Sequence, residues 1–116
     1  MADIIIYHKP TCSTCRQVIK IVQESGQPYT TINYYDQPFS KSGLQELLRQ
    51  AGLKPSDIIR HKEELYKKLQ LRQSQFTDEE LLNLMIQYPD LIQRPLVQKG
   101  DRVILARPPE TIGNFL

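Results

Sequence analysis

The feature that most constrains this chain is the cysteine pair of Cys12-Ser13-Thr14-Cys15, set between the run Ile4-Ile5-Ile6-Tyr7 and a helical pattern carried by Val18, Ile19, Ile21 and Val22. The first run, β-branched and aromatic, reads as a strand, and the second puts its apolar residues on one helical face. Cys12 therefore stands where a strand hands over to a helix. There the first backbone N–H groups of the helix have no intrahelical partner, and they favour a thiolate or a bound oxyanion. A close pair in this setting signals redox chemistry: the first cysteine is activated as nucleophile, and the second lies one helical turn away.

From Thr11 or Cys12 the helix runs to about Ser25, where Gly26 is a suitable stop. Residues 29–34, Tyr-Thr-Thr-Ile-Asn-Tyr, read as a second strand. Strand, helix and strand within about thirty residues make a parallel βαβ unit with a right-handed crossover. That is the opening of a thioredoxin-like fold. Ser40 then caps a helix with Leu44, Leu47, Leu48 and Ala51 on one face, ended by Gly52. Lys54-Pro55-Ser56-Asp57 starts a short helical turn through Ile58 and Ile59, and Leu65, Leu69 and Leu71 continue a helical pattern. Thr77 and Glu80 stand at capping-box spacing before Leu81, Leu82, Leu84, Met85 and Ile86. Residues 91–97 follow, with Arg94-Pro95 as a candidate cis bond. Leu96–Lys99 and Arg102–Leu105 form a hairpin through Gly100-Asp101, and residues 111–116 form a last short helix. The expectation is an α/β chain in which residues 1–38 and 91–116 build a βαβ…ββα core on a four-stranded mixed sheet. Residues 39–90 form an inserted helical subdomain.

At 116 residues the chain sustains one core rather than two. A formal charge of +2, without a long Lys/Arg block, argues against nucleic acid or a membrane surface as partner. The N-terminus enters its first apolar run at once, and that run is too short for a signal peptide. The expected location is therefore cytoplasmic, where a close cysteine pair is catalytic or metal-binding rather than a structural staple. Cys12, Cys15, His8 and His61 are the only cysteines and histidines, which excludes a four-cysteine zinc site; the histidines also lack the spacing of a Cys2His2 site, so no metal is expected.

Four separated stretches carry a more specific signal: residues 7–16, Tyr-His-Lys-Pro-Thr-Cys-Ser-Thr-Cys-Arg; residues 59–63, Ile-Arg-His-Lys-Glu; residues 92–97, Ile-Gln-Arg-Pro-Leu-Val; and residues 105–110, Leu-Ala-Arg-Pro-Pro-Glu. In this order they make the whole chain resemble the ArsC/Spx family, a thioredoxin-fold group with an inserted helical subdomain. The resemblance to its glutaredoxin-dependent arsenate reductases implies Cys12 as the nucleophile and Arg60, Arg94 and Arg107 as three arginines around the oxyanion. His8 matches a histidine that tunes the cysteine, and Arg16, in the first helical turn, is a further candidate support for the thiolate. Cys15 departs from those reductases, which carry serine there, and matches Spx-type regulators, whose cysteine pair is a redox switch. The chain also stops soon after Arg107-Pro108-Pro109-Glu110, earlier than expected from the family.

The resemblance implies that Cys12 displaces an oxygen of arsenate to give a thiolate–arsenic adduct, which a thiol then reduces to arsenite, with no bound cofactor. Arginine suits the oxyanion because its planar fork carries a fixed charge. Two routes stay open for the thiol. Glutathione attacks as co-substrate and glutaredoxin restores Cys12, or Cys15 attacks and leaves a disulfide for thioredoxin or glutaredoxin to reduce. The alternative is an Spx-like regulator that binds RNA polymerase and uses the Cys12/Cys15 disulfide as its switch. Gly52 resembles a glycine in the polymerase-contacting region of Spx, while the arginine set favours the enzyme.

Overall fold

The computed structural model describes residues 3–60, 67–68 and 76–116. Its chain forms two compact units, one of Met1–Pro38 with Arg94–Leu116 and the other of Phe39–Gln93. Leu65, Leu69 and Leu71, read above as helical, lie outside the described residues, as does His61.

The first unit holds β1 (Ile4–His8), α1 (Ser13–Glu24), β2 (Tyr29–Asn33), β3 (Leu96–Lys99) and β4 (Arg102–Leu105). A 3-10 turn at Pro109–Thr111 then leads into α2, a single turn at Ile112–Phe115. The four strands make one mixed sheet in the order β2-β1-β3-β4. β1 pairs β2 in parallel, from Ile4↔Tyr29 to His8↔Asn33, and pairs β3 antiparallel through Ile6↔Val97. The parallel pair is joined by α1, as a parallel pair requires a crossover, while the β3–β4 pair closes through Gly100 at φ 65. This is the thioredoxin-like arrangement.

Alternation along β1 decides which face is interior. Ile4 and Ile6 are fully buried with Val97 of β3, Val18 and Val22 of α1, Ala106, and Ile112 and Phe115 of α2. Each such aliphatic or aromatic side chain contributes on the order of 1.5–3 kcal/mol by leaving water. The sheet and α1 are thus locked together, and the β1–α1 junction that carries Cys12 joins two elements of this core.

One strand boundary differs from the sequence reading. Tyr34 was expected inside the second strand, yet the β1–β2 register ends at Asn33. The Tyr34 N–H still reaches the His8 carbonyl at 3.4 Å. Beyond it the Asn33 side-chain oxygen accepts the Tyr35 N–H at 3.0 Å, and the Asn33 carbonyl accepts from Asp36 and Gln37, which turns the chain. β3 and β4 have the bounds expected of the hairpin, Leu96–Lys99 and Arg102–Leu105; ahead of β3, Pro89–Leu91 is a 3-10 turn and Ile92 makes an isolated bridge.

In the second unit α3 (Lys41–Ala51) and α4 (Asp78–Gln87) bury Leu44, Leu47 and Leu48 and Leu81, Leu82 and Met85 respectively. Local chemistry sets their ends. Ser40 Oγ accepts the Gly43 N–H at 3.0 Å, and Thr77 and Glu80 exchange side-chain and backbone bonds at 3.1 and 3.0 Å. Gly52 ends α3 in the left-handed region at φ 70. The segments entering and leaving the middle of this unit are paired at Ile59↔Ile92, with Arg60 N–H donating to the Leu91 carbonyl and Gln93 N–H to that of Ile58, both at 2.8 Å.

Candidate active site

Cys12 occupies the N-cap position of α1 in extended backbone, at φ −81 and ψ 122. Its N–H donates to the Lys9 carbonyl at 2.9 Å, closing the turn that leaves β1, and its own carbonyl accepts the Arg16 N–H at 3.1 Å. This conformation sets Cys12 at the open N–H end of the helix. Burial pulls the Cys12 thiol upward, but hydrogen bonds from the Cys15 backbone, the Cys15 thiol and Arg94, together with the Arg94 charge, outweigh it and hold it below the usual cysteine value. Cys15, one turn on and fully buried, goes the other way: burial first, then the adjacent Cys12, pushes its thiol up to about 12. Both cysteines are free thiols. The pair is thus arranged to favour a thiolate on Cys12 at the helix end and to keep Cys15 protonated beside it.

Arg94 is the chemically decisive partner. It is only 5% exposed, yet it carries a guanidinium that does not deprotonate. Nη1 donates to the Tyr34 hydroxyl at 3.1 Å, and the same side chain hydrogen-bonds Cys12. Burial opposes the Arg94 charge, but Tyr34 and Cys12 outweigh it. Arg107 is exposed and reaches back, its Nη1 donating to the Arg94 carbonyl at 2.9 Å. The bonds Arg94-Pro95 and Arg107-Pro108 are both cis.

The remaining candidates are His8, Arg16 and Arg60. His8 ends β1 half-buried; its Nδ1 is buried and has no hydrogen-bond partner among the described residues, and burial moves the ring below the usual histidine value, toward the neutral form. Arg16 is exposed on α1. Arg60 belongs to the second unit, partly buried, with its backbone paired to Leu91. The structure thus joins Cys12, Cys15 and Arg94 through direct contacts, and ties Arg107 to them by way of the Arg94 backbone.

Tyr34 was missed. It is 1% exposed and bonded to Arg94, and burial pushes its phenol up to about 12. Its ring centroid lies 5.1 Å from that of Tyr35, over which Lys9 Nζ sits at 4.8 Å. The only sequence signal for it is a tyrosine pair just past a strand that lies beside the cysteine strand.

A half-buried thiolate backed by a helix N-terminus and a buried guanidinium can attack an electrophilic centre whose oxygens the cations hold. The sequence profile described as the ArsC family matches residues 7–115. The chain is 35% identical over 116 residues to the arsenate reductase of Escherichia coli strain K12, covering all of this chain and 82% of that protein. It is 34% identical over 116 residues to the arsenate reductase of Haemophilus influenzae, covering 98% of this chain and 99% of the relative. A solved structure titled as arsenate reductase from Vibrio cholerae superposes with a TM-score of 0.92 at 35% identity, over 99% of this chain and 98% of that one. The profile match over nearly the whole chain and these similarities agree: this chain belongs to the ArsC family.

Proposed function

We propose that the protein is an arsenate reductase, an oxidoreductase in which Cys12 is the nucleophile and Arg94, Arg107 and Arg60 bind the oxyanion. The observation that carries this reading is the buried Arg94 guanidinium bonded to the Cys12 sulfur. A two-thiol switch needs no buried cation, whereas a buried guanidinium calls for an anion, supplied at rest by the thiolate and in turnover by the oxyanion. Gly52, the residue that pointed toward a polymerase-binding regulator, is accounted for by its positive φ at the end of α3.

In the first step Cys12 Sγ forms a bond to arsenic(V) and one arsenate oxygen leaves as water after protonation. The arginines draw off the negative charge that otherwise repels the thiolate. In the second, a thiolate attacks Cys12 Sγ; a sulfur–sulfur bond forms, the sulfur–arsenic pair stays on arsenic, and arsenite leaves two electrons richer. The hydrogen bond between Cys15 and Cys12 supports Cys15 as that attacker. Its high resting value owes part of its size to the Cys12 thiolate, a repulsion that ends once Cys12 bonds arsenic. The resulting Cys12–Cys15 disulfide is reduced by thioredoxin or glutaredoxin; in the external route glutathione takes the place of Cys15.

The test is arsenate-dependent NADPH oxidation with the glutathione/glutaredoxin and thioredoxin systems supplied separately. Turnover with at least one, abolished by Cys12→Ser, is expected. No turnover with either overturns the proposal.

A further inference from the structure

We propose that Tyr34 is a positioning residue of this site, its buried hydroxyl holding Nη1 of the Arg94 guanidinium so that this side chain stays on Cys12. This rests on the reading of Arg94 as the partner of the Cys12 thiolate and of the oxyanion. An arginine side chain has several rotatable bonds, and a guanidinium drawn toward solvent escapes the cost of burial. Something must hold it inside. Arg107 holds the Arg94 carbonyl but not the guanidinium, whereas the Tyr34 oxygen accepts from Nη1 at 3.1 Å.

The anchor is well aimed. Tyr34 follows the last β1–β2 pair, its N–H reaches the His8 carbonyl, and the turn after it is fixed by Asn33. Its 1% exposure leaves the ring little freedom. The choice of a phenol also has chemical content. A carboxylate would orient the guanidinium more strongly, but it would neutralise the charge that Cys12 and the oxyanion need. A phenol kept protonated by burial orients without neutralising. Tyr34 then belongs to the pKa control of the nucleophile although it need not touch the arsenic.

Tyr34→Phe keeps the ring and removes only the acceptor. Cys12 reactivity is followed as the pH dependence of iodoacetamide alkylation, with mass mapping to separate Cys12 from Cys15, and steady-state kinetics with arsenate are run in parallel. The groups acting on Cys12 are Cys15 from α1 and Arg94 from the segment before β3, and both remain in the variant. The expected result is an alkylation midpoint moved to higher pH and kcat/KM lowered about tenfold, mainly through kcat, with the melting temperature nearly unchanged. An unchanged midpoint refutes the proposal. So does lost activity that merely follows a lowered melting temperature, which would make Tyr34 a packing residue. The alkylation arm needs no arsenate, so it still tests Tyr34 if the wild-type protein fails to reduce arsenate.

Discussion

Arg94→Met separates the two roles a buried arginine can have, because methionine roughly keeps the length and apolar body of the side chain while deleting its charge. In the native site the Cys12 thiolate is favoured by a hydrogen bond from Arg94 and by its charge, against the opposing effect of burial. A hydrogen bond to a charged group is worth about 1.5–3 kcal/mol, and one pKa unit corresponds to about 1.4 kcal/mol. Losing it moves the Cys12 alkylation midpoint upward by about one to two units. The sign is unambiguous: removing a cation disfavours the anion, so more alkaline solution is needed to form it. The loss in arsenate kcat/KM is larger, about 100- to 1000-fold, because the same donor meets charge that develops on the oxyanion.

Stability responds differently. The 5%-exposed guanidinium sits among a phenol and a thiol, and its removal also removes a desolvated charge. The Tyr34 hydroxyl loses a donor, which costs about 1 kcal/mol, and the two changes largely offset each other. Arg107 bonds the residue-94 backbone carbonyl, which the substitution leaves in place. The expected variant is folded, with a denaturation midpoint near wild type, and chemically slow. A stability loss of several kcal/mol beside an unshifted alkylation profile would refute the reasoning, since it would show Arg94 to be a structural residue with no hold on Cys12.

Other outcomes can be checked directly. Cys15→Ser is expected to abolish turnover with thioredoxin alone while retaining it with glutathione and glutaredoxin; full thioredoxin-linked activity in this variant rejects the internal route. Cys15 and Tyr34 are both held protonated in the fold, up to about 12 from ordinary values of 9.0 and 10.0. The unfolded chain therefore releases these protons first, and chemical denaturation should show stability present below pH 9 and falling as pH rises from 9 toward 12; Cys15→Ser should flatten the first part of that fall. Gly52→Ala should cost about 1–2 kcal/mol by circular-dichroism melting, for purely conformational reasons: φ is 70 and an added Cβ meets nothing within 4 Å.

What could be read from the chain was what short-range chemistry decides. Alternation in β1 and the helical spacing of Val18 and Val22 mark the faces that become the core. Ser40 and Thr77 mark helix starts because a cap acts within three residues. The end of β2 escaped, because a strand ends where its partner ends, and β-propensity at Tyr34 carries no information about His8. The site follows the same division. The position of Cys12 at a helix N-terminus is local and was legible; the burial of Arg94 was not. Local spacing says nothing about how deeply an arginine before a proline is buried, and one of the contacts made by Arg94 spans 60 residues, to Tyr34.

That long-range contact also explains why two cysteines three residues apart carry opposite chemistry. Spacing alone places both at the start of one helix and treats them alike. The helix distinguishes them, since Cys12 caps the open N–H end while Cys15 has already turned into the buried side of α1. Arg94 enlarges the difference, because its hydrogen bond goes to Cys12 and its charge is the smallest of the named influences on Cys15. On the proposed mechanism, nucleophile and resolving thiol differ in which sulfur the arginine reaches, and the proposed hold on that reach is Tyr34, sixty residues earlier in the chain.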